Sequence, residues 1–459
     1  MRPPAIWLLF AACGFPNTRA PGTPTEDTGC DGCGESEVDT GPGDSGTEGD
    51  VADVTLSTLS YVQYATPKLA WLDDLDGDGV REIAFGDAAL QWNGASLLYC
   101  PSAATWILSP RDVGASADVQ DTALTSLDRT SASDCQGMSV VSLDLDGDGV
   151  RDLASSAPYD MDNGGSYDVE SGVHTGAGKV YVVTGTALAD AAVQRAELRA
   201  DWEILGSGGD DLLGLKLEAM GDLDGDGDDE LAIGGHAVHS VWVLGGGEGF
   251  DETFVVDTVA SAVTSESTVT VAAGADLDGD GLSELVVCDD GRGRAFDGRT
   301  ALGSPGYDDV VATLPGCAFL GDVDGDGGID GLFFDEAGAR WTVVAGPLSG
   351  VVTTDGGSLS FEAGPDDRGI TVSDVADVTG DGRADVLAFV DDGYITVQVF
   401  DGATLPPSGA LTSADAWASH EVGWGYVFDA SAGDWNADGL ADLVIEDFGG
   451  IRTRVYYAN

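Results

Sequence analysis

Carboxylates dominate the residues of this chain that could do chemistry, and they recur at fixed spacing. The nine-residue pattern Asp-x-Asp-Gly-Asp-Gly-x-x-Asp/Glu begins at Asp74, Asp144, Asp222, Asp276 and Asp322. Two looser copies begin at Asp377 and Asp434. Side-chain oxygens at the odd positions and a backbone carbonyl at the seventh can converge on one hard cation, and the glycines permit the tight turn. This donor set is typical of calcium sites.

The sequence therefore predicts up to seven calcium sites, each built from five consecutive odd-numbered positions of one loop. The predicted ligands are Asp74, Asp76, Asp78, Val80 and Glu82; Asp144, Asp146, Asp148, Val150 and Asp152; Asp222, Asp224, Asp226, Asp228 and Glu230; Asp276, Asp278, Asp280, Leu282 and Glu284; Asp322, Asp324, Asp326, Gly328 and Asp330; Asp377, Thr379, Asp381, Arg383 and Asp385; and Asp434, Asn436, Asp438, Leu440 and Asp442. An EF-hand requires an acid at position twelve and flanking helices. No loop has an acid at that position, so the EF-hand is excluded.

The last two loops differ from the others at their third position. Thr379 and Asn436 each keep an oxygen there but lose a negative charge. We expect these two sites to bind calcium most weakly. The competing interpretation is that the loops are acid-rich turns that bind no metal.

The elements that position the loops repeat with them. Each loop lies between short apolar runs rich in β-branched residues, and a third such run usually follows, as strands separated by glycine turns do. Meanders repeated at intervals of 46 to 78 residues are typical of propeller blades. The sequence predicts an all-β, seven-bladed β-propeller over residues 51–459. Residues 51–64 are predicted to supply the outer strand of blade seven and close the ring; the alternative is packing on blade one alone.

Residues 137–158 resemble the FG-GAP/VCBS repeat family, the blades of the integrin α-subunit propeller and its bacterial relatives. They read Gly-Met-Ser-Val-Val-Ser-Leu-Asp-Leu-Asp-Gly-Asp-Gly-Val-Arg-Asp-Leu-Ala-Ser-Ser-Ala-Pro, and residues 213–235 are similar. The resemblance extends over residues 51–459, although most blades lack the Phe-Gly and Gly-Ala-Pro words of the family. It implies the fold and the calcium sites. It does not imply a ligand, because such propellers serve adhesion, scaffolding and enzyme accessory roles.

The first residues are predicted to direct export. Arg2 precedes an apolar stretch too short to span a bilayer, so residues 1–12 are interpreted as a signal peptide. The run Phe10-Ala11-Ala12-Cys13 resembles a bacterial lipobox, which would lipidate Cys13; the alternative is an ordinary secretory signal with an incidental cysteine. Residues 13–50 are predicted to form a disordered acidic linker. We expect a bacterial cell-envelope protein, lipid-anchored at the outer membrane or surface.

Six cysteines remain if Cys13 is lipidated, and export favours disulfides over free buried thiols. Fifteen pairings are open. The local choices are Cys30 with Cys33, Cys100 with Cys135, and Cys288 with Cys317.

The formal charge of −62 repels phosphate backbones and anionic headgroups, so we expect no nucleic-acid partner and no membrane contact beyond the lipid. The four histidines, His174, His236, His239 and His420, form no convincing zinc or catalytic set, and no nucleophile elbow or phosphate loop is present. We expect a monomeric propeller that acts in adhesion or recognition and binds a glycan or protein on a loop face, where Trp92 and Trp106 could stack sugars if they are not strand core. The alternatives are a polysaccharide-active enzyme and a structural envelope scaffold.

Overall fold

The computed structural model describes residues 54–57, 68–88, 91–92, 98–99, 104–114, 116–128, 134–162, 165–168, 173–194, 198–208, 211–235, 240–247, 250–258, 260–264, 269–289, 291–306, 309–335, 340–357, 359–362, 369–375, 377–381, 383–391, 395–423, 427–447 and 452–457. The predicted signal peptide and the linker of residues 13–50 lie outside this set. So do Cys13, Cys30, Cys33 and Cys100, and the histidines at 236 and 239.

The described residues form seven large sheets, each built on four antiparallel strands, and two two-stranded hairpins. From the first strand to the fourth, blades one to three are Lys68–Trp71, Ile83–Gly86, Ala104–Leu108 and Thr125–Asp128; Val140–Leu143, Asp152–Ala157, Lys179–Val183 and Trp202–Leu205; and Lys216–Ala219, Leu231–Gly234, Ser240–Leu244 and Ser261–Thr264. Blades four to six are Val269–Ala275, Glu284–Asp289, Arg292–Asp297 and Ala312–Leu314; Ala318–Leu320, Asp330–Asp335, Arg340–Val344 and Leu359–Phe361; and Gly369–Val375, Asp385–Asp391, Ile395–Phe400 and Ala418–Gly423. Blade seven is Val427–Gly433, Asp442–Asp447, Arg452–Tyr456 and Val54–Ser57.

Both faces of a blade are apolar because each blade packs between two neighbours. In the second strand of blade three, Leu231 and Ile233 belong to the core shared with blade two, whereas Ala232 belongs to the core shared with blade four. All three side chains are fully buried. A strand buried on both sides needs a continuous apolar run and not an alternating one. This explains the unbroken apolar runs that follow each acidic loop.

Blade seven packs against blade one. Trp435 meets Trp71 edge to face, with ring centroids 6.2 Å apart. A side chain at Gly433 would overlap the Trp71 ring, so a glycine is required at this close approach. The strand Val54–Ser57 pairs antiparallel with Arg452–Tyr456 as the fourth strand of blade seven. That this pairing holds the ring closed remains a prediction.

In the part of the chain that the structure describes, four blades have a further strand that pairs in parallel with the outer edge of their fourth strand. These edge-covering strands are Ser116–Asp118 on blade seven, Thr253–Val255 on blade two, Gly350–Val351 on blade four and Gly409–Leu411 on blade five. Each comes from the connection between the third and fourth strands of the following blade. The fourth strand of one blade is therefore covered by the next blade along the chain.

Helices and hairpins occupy the remaining connections. The helices are Val119–Thr122, Gly185–Gln194 and Gly298–Ala301, and the 3-10 turns are Pro110–Asp112, Val256–Thr258, Thr354–Gly356, Gly402–Thr404 and Ser413–Asp415. Two-stranded hairpins join Gln91–Trp92 to Leu98–Tyr99 and Gly165–Asp168 to Val173–Gly176. Among the residues described, no helix combines the length and the apolar character needed to cross a bilayer.

Candidate metal-binding loops

Each acidic loop joins the first strand of a blade to the second, and its first aspartate organises the turn. In loop one, Asp74 Oδ1 accepts hydrogen bonds from the backbone N–H groups of Gly77 (2.8 Å) and Asp78 (3.0 Å), and its Oδ2 accepts one from Gly79 (2.9 Å). Gly79 has φ 91°, a conformation that side chains disfavour. The same three bonds recur around Asp222, Asp276 and Asp322.

Five loops gather three acidic side chains with one oxygen of each lying within 4.8 Å of the other two. They are Asp74, Asp76 and Asp78; Asp144, Asp146 and Asp148; Asp222, Asp224 and Asp226; Asp276, Asp278 and Glu284; and Asp322, Asp324 and Asp330. These are the five loops with the full motif. Several clusters of hard oxygen ligands that could hold a metal are thus present in the structure.

Loop two contains an oxygen that the surrounding protein leaves unsatisfied. Asp144 Oδ1 is shielded from solvent and accepts no hydrogen bond from the described residues. Its Oδ2 accepts one from the N–H of Gly149 at 3.0 Å. A buried carboxylate oxygen without a donor is costly, and a cation among Asp144, Asp146 and Asp148 would satisfy it. The residues of this loop therefore fit calcium.

The last two loops gather no such three-acid cluster in the described residues. Asn436 Nδ2 donates a hydrogen bond to Asp438 Oδ2 at 3.0 Å. This carboxylate, a predicted metal ligand, is therefore already hydrogen-bonded to an amide of the same loop. Thr379 Oγ1 lies 3.4 Å from both Asp377 Oδ1 and Asp385 Oδ1. Their lower calcium affinity stays a prediction, and this geometry is in line with it.

The ninth residue of every loop is buried, with at most 1% of its surface exposed: Glu82, Asp152, Glu230, Glu284, Asp330, Asp385 and Asp442. In all seven loops its carboxylate accepts the backbone N–H of the second loop residue, at 2.6 to 3.1 Å. Its other oxygen accepts the N–H of a glycine just after the third strand in four blades. These bonds are Gly185 to Asp152, Gly246 to Glu230, Gly346 to Asp330 and Gly402 to Asp385, at 2.8 to 3.1 Å. The ninth side chain therefore ties its loop to the third strand.

Burial raises the pKa of these carboxyl groups, because it penalises the charged form. The pKa rises to about 7 for Glu82, Asp152, Glu230 and Glu284. Burial also raises the pKa of Asp330 and Asp385. Backbone hydrogen bonds oppose the shift, while nearby acids in the same loop, such as Asp76 beside Glu82, add to it. A bound cation would reverse the balance by favouring the ionised form.

The residue at position seven was predicted to act through its carbonyl, but in loops three and six, at Asp228 and Arg383, its side chain also contacts the preceding loop. A side chain at Gly147 would overlap Asp228 Oδ1. Arg383 Nη2 donates to the carbonyl oxygen of Asp324 at 3.1 Å. Neighbouring loops are thus in contact, which spacing within one loop does not reveal.

Two charged contacts were not predicted, one at loop one and one at the end of blade two that lies away from its acidic loop. Arg111 Nη1 lies 3.2 Å from Asp78 Oδ2 and donates to the Asp78 carbonyl at 2.9 Å, so loop one already has a cation at one expected ligand. Lys179 is 2% exposed, with Nζ 2.5 Å from Asp162, 3.1 Å from Glu203 and 3.9 Å from Asp160. Burial alone would lower the pKa of Lys179, but the acidic partners raise it above its usual value. No local sequence pattern predicts the contacts of Arg111 or of Lys179.

The remaining candidates fall in different parts of the fold. Cys288 and Cys317 form a disulfide with Cα atoms 6.0 Å apart, and Cys135 is also disulfide-bonded. Trp106 lies in the third strand of blade one, partly buried in the core between blades one and seven. The His420 ring lies 4.3 Å from the Tyr456 ring, between blades six and seven.

Seven four-stranded blades, each with an acidic loop between its first two strands, define a seven-bladed β-propeller. The family model of the FG-GAP repeat matches residues 136–183, so blade two carries an FG-GAP repeat. The chain is also similar to a chain of the crystal structure of BBS1N in complex with ARL6DN, soaked with lead, at 12% identity over 89% of this chain and 98% of that one, with a TM-score of 0.47. The mercury-soaked form of that complex matches at 11% identity over 89% of this chain and 100% of that one, with a TM-score of 0.46. No curated protein matches the sequence significantly.

Proposed function

We propose that the protein is a calcium-stabilised recognition propeller, anchored at the bacterial surface, that binds a glycan or protein ligand on a loop face. The observation that supports it most is the set of five loops whose acidic oxygens lie within 4.8 Å of one another. Two unit charges about 4 Å apart repel by about 4 kcal/mol at an effective dielectric of about 20. Calcium relieves that repulsion and completes the turn of each blade.

A calcium titration by calorimetry tests the metal assignment. We expect five tighter sites and two weaker ones, the weaker in the loops that begin at Asp377 and Asp434. Asp280→Asn in loop four should remove one of the tighter sites. Asp190→Asn is the matched control, because Asp190 is an exposed acid on the helix Gly185–Gln194 and is not one of the predicted ligands. Equal heats for the two variants would contradict the assignment.

The proposed anchor depends on Cys13. Radiolabelled fatty acid should be incorporated into the parent chain and lost in Cys13→Ala. Cys33→Ala keeps Cys13 and serves as the control. Incorporation that persists in Cys13→Ala would show that the lipid is not attached at this residue.

The recognition role is inferred from the fold and the family match at blade two, since FG-GAP propellers typically bind and do not catalyse. The chain should be applied to a glycan array, calcium-loaded and chelated in parallel. A hit that needs calcium would identify a lectin-like adhesin. No binding in either state would contradict a glycan ligand. The search would then turn to a protein partner, by pull-down from envelope extracts.

A further inference from the structure

In four loops the side chain at position seven lies against the glycine at position four of the preceding loop. A methyl group added to that glycine would contact or overlap it. The pairs, with position seven first, are Asp228 and Gly147, Leu282 and Gly225, Arg383 and Gly325, and Leu440 and Gly380. One of the four side chains is acidic, one is basic and two are apolar. Loops of similar sequence therefore meet different charges from the blade that follows them.

Two loops have a guanidinium group of the following blade on the carbonyl oxygen of their third residue. In loop five, Arg383 Nη2 donates to the carbonyl of Asp324 at 3.1 Å. Arg383 is also held on its own blade, where Nη1 donates to the carbonyl of Gly402 at 3.4 Å. In loop three, Arg299 Nε donates to the carbonyl of Asp224 at 3.2 Å. Both aspartates belong to the three-acid clusters of their loops, so a fixed positive charge adjoins each of these two clusters.

Loop two meets an acid in the corresponding place. A side chain at Gly147 would overlap Asp228 Oδ1, so this carboxylate lies directly on the loop. Two hydrogen bonds hold the neighbouring loops together: the N–H of Asp144 donates to Asp229 Oδ2 at 2.9 Å, and the N–H of Asp229 donates to the Asp144 carbonyl at 2.8 Å. Desolvation and nearby acids, among them Asp144 across the blade boundary, raise the pKa of Asp228. Loop two therefore has its own acids and one more from blade three.

We propose that the charge brought by the following blade sets the order of calcium affinity among the loops, an inference that rests on the calcium sites proposed above. Without metal, Arg383 offsets part of the repulsion among the acids of loop five, so less repulsion remains for calcium to relieve. Asp228 adds repulsion at loop two, so calcium relieves more. Loop two should therefore bind calcium more tightly than loop five, and Arg299 should weaken the site of loop three as Arg383 weakens that of loop five.

Arg383→Leu on the full chain tests the arginine. Leucine fits this place, because Leu282 and Leu440 stand at position seven of loops four and seven. At low ionic strength the calcium affinity of loop five should rise at least about threefold, while the thermal midpoint in EDTA should fall. Arg383→Lys, which restores the charge, should bring both values back toward those of the parent. Arg340→Leu is the matched control and should leave the affinity unchanged, because Arg340 pairs with Asp335 at 3.5 Å at the end of blade five away from its loop.

Calorimetric titrations in different backgrounds assign each change to one loop. Asp326→Asn disables loop five and Asp381→Asn disables loop six, so the gain from Arg383→Leu should vanish in the first background and persist in the second. Asp228→Asn is the opposite test: it should lower the calcium affinity of loop two at least about threefold and raise the midpoint in EDTA. That loss of affinity should vanish when Asp148→Asn disables loop two. Both changes in affinity should shrink in about 1 M salt, where the screening length is about 3 Å, whereas a purely structural effect would persist.

The proposal is overturned if Arg383→Leu binds calcium no more tightly than a parent that does bind it; the calcium sites themselves would then stand. A gain that persists in the Asp326→Asn background would place the effect outside loop five and also overturn it. An unchanged or higher affinity of loop two in Asp228→Asn would have the same meaning, whether or not Arg383→Leu folds. A parent that binds no calcium would refute the proposed function and this inference with it, so the titration of the parent distinguishes the two failures.

Discussion

Removing calcium should make the stability of the propeller fall as the pH rises from about 5 to about 8. The ninth carboxyl of four loops has a pKa of about 7 in the folded chain, against 4.5 for Glu and 3.8 for Asp without the protein environment. An acid whose folded pKa is raised binds its proton more tightly in the folded state. Its stabilising effect is therefore complete below the unfolded pKa and is lost as the pH rises through the folded pKa.

The magnitude follows from the size of the shifts. One pKa unit corresponds to about 1.4 kcal/mol, so ionising a glutamate whose pKa is shifted from 4.5 to about 7 lowers the stability by about 3.5 kcal/mol. The combined loss from two or three such groups is as large as the free energy of unfolding of a typical domain, about 5 to 15 kcal/mol. Calcium requires the ionised carboxylate, so calcium-loaded protein should not show the loss.

The assay is the thermal and urea midpoint measured across this pH range in EDTA and in excess calcium. Glu230→Gln isolates one group, because the amide keeps the shape of the side chain but cannot titrate. In EDTA its midpoint should fall less steeply with pH than that of the parent. An EDTA midpoint that is flat or rising between about pH 5 and about pH 8 would refute the reasoning, since ordinary carboxyl groups are already ionised there.

Three further changes have expected outcomes. Deleting residues 54–57 should lower the unfolding midpoint of the whole ring, measured by calorimetry, because blade seven loses its fourth strand. Cys288→Ser removes the disulfide to Cys317, which closes a 29-residue separation, and should cost about 3 to 4 kcal/mol in urea unfolding. Gly178→Ala should be strongly destabilising in the same assay, because Gly178 has φ 81° and the new methyl group would overlap the backbone of Leu213.

Each change has a control and a contradicting result. A cooperative melt at the parent temperature after the deletion would show that the N-terminal strand does not close the ring. For the disulfide, the parent in reductant should have the same stability as Cys288→Ser. A variant as stable as the oxidised parent would show that the disulfide does not stabilise the fold. Gly77→Ala is the control for Gly178→Ala, since Gly77 has φ 77° but open space around it. If the two variants lost equal stability, the cost would come from the positive φ alone and not from the overlap with Leu213.

The blades and their loops were predictable because their signal is local. Nine residues contain the whole acidic pattern, and the strand after it is apolar on both faces. Seven copies at blade spacing then predict the architecture of the ring. The ninth residue was expected only as a ligand. Its second hydrogen bond could have been anticipated from the glycine that recurs just after the third strand, at Gly185, Gly246, Gly346 and Gly402.

The edge-covering strands could not be predicted, because they are two or three residues long and have no periodicity. Gly350–Val351 is too short to show a pattern, and its partner Ala312–Leu314 lies in a different blade. The same holds for Lys179, whose acidic partners are brought together only by the packing of blade two. Such contacts depend on how separate segments pack together, and the sequence of one repeat does not show which residues of another segment it will meet.

The bond between a loop and the glycine after its third strand has a consequence for how sites influence one another. Gly402, held by Asp385, begins the connection that carries Gly409–Leu411 to the rim of blade five. The residue that holds the loop of blade six is therefore bonded to the start of a segment that also pairs with blade five. The same arrangement is present in blades three and five. Thermodynamic linkage is reciprocal, so any effect of a cation at one of these loops on the rim of the preceding blade would be matched by an equal effect of a rim ligand on the cation affinity of that loop.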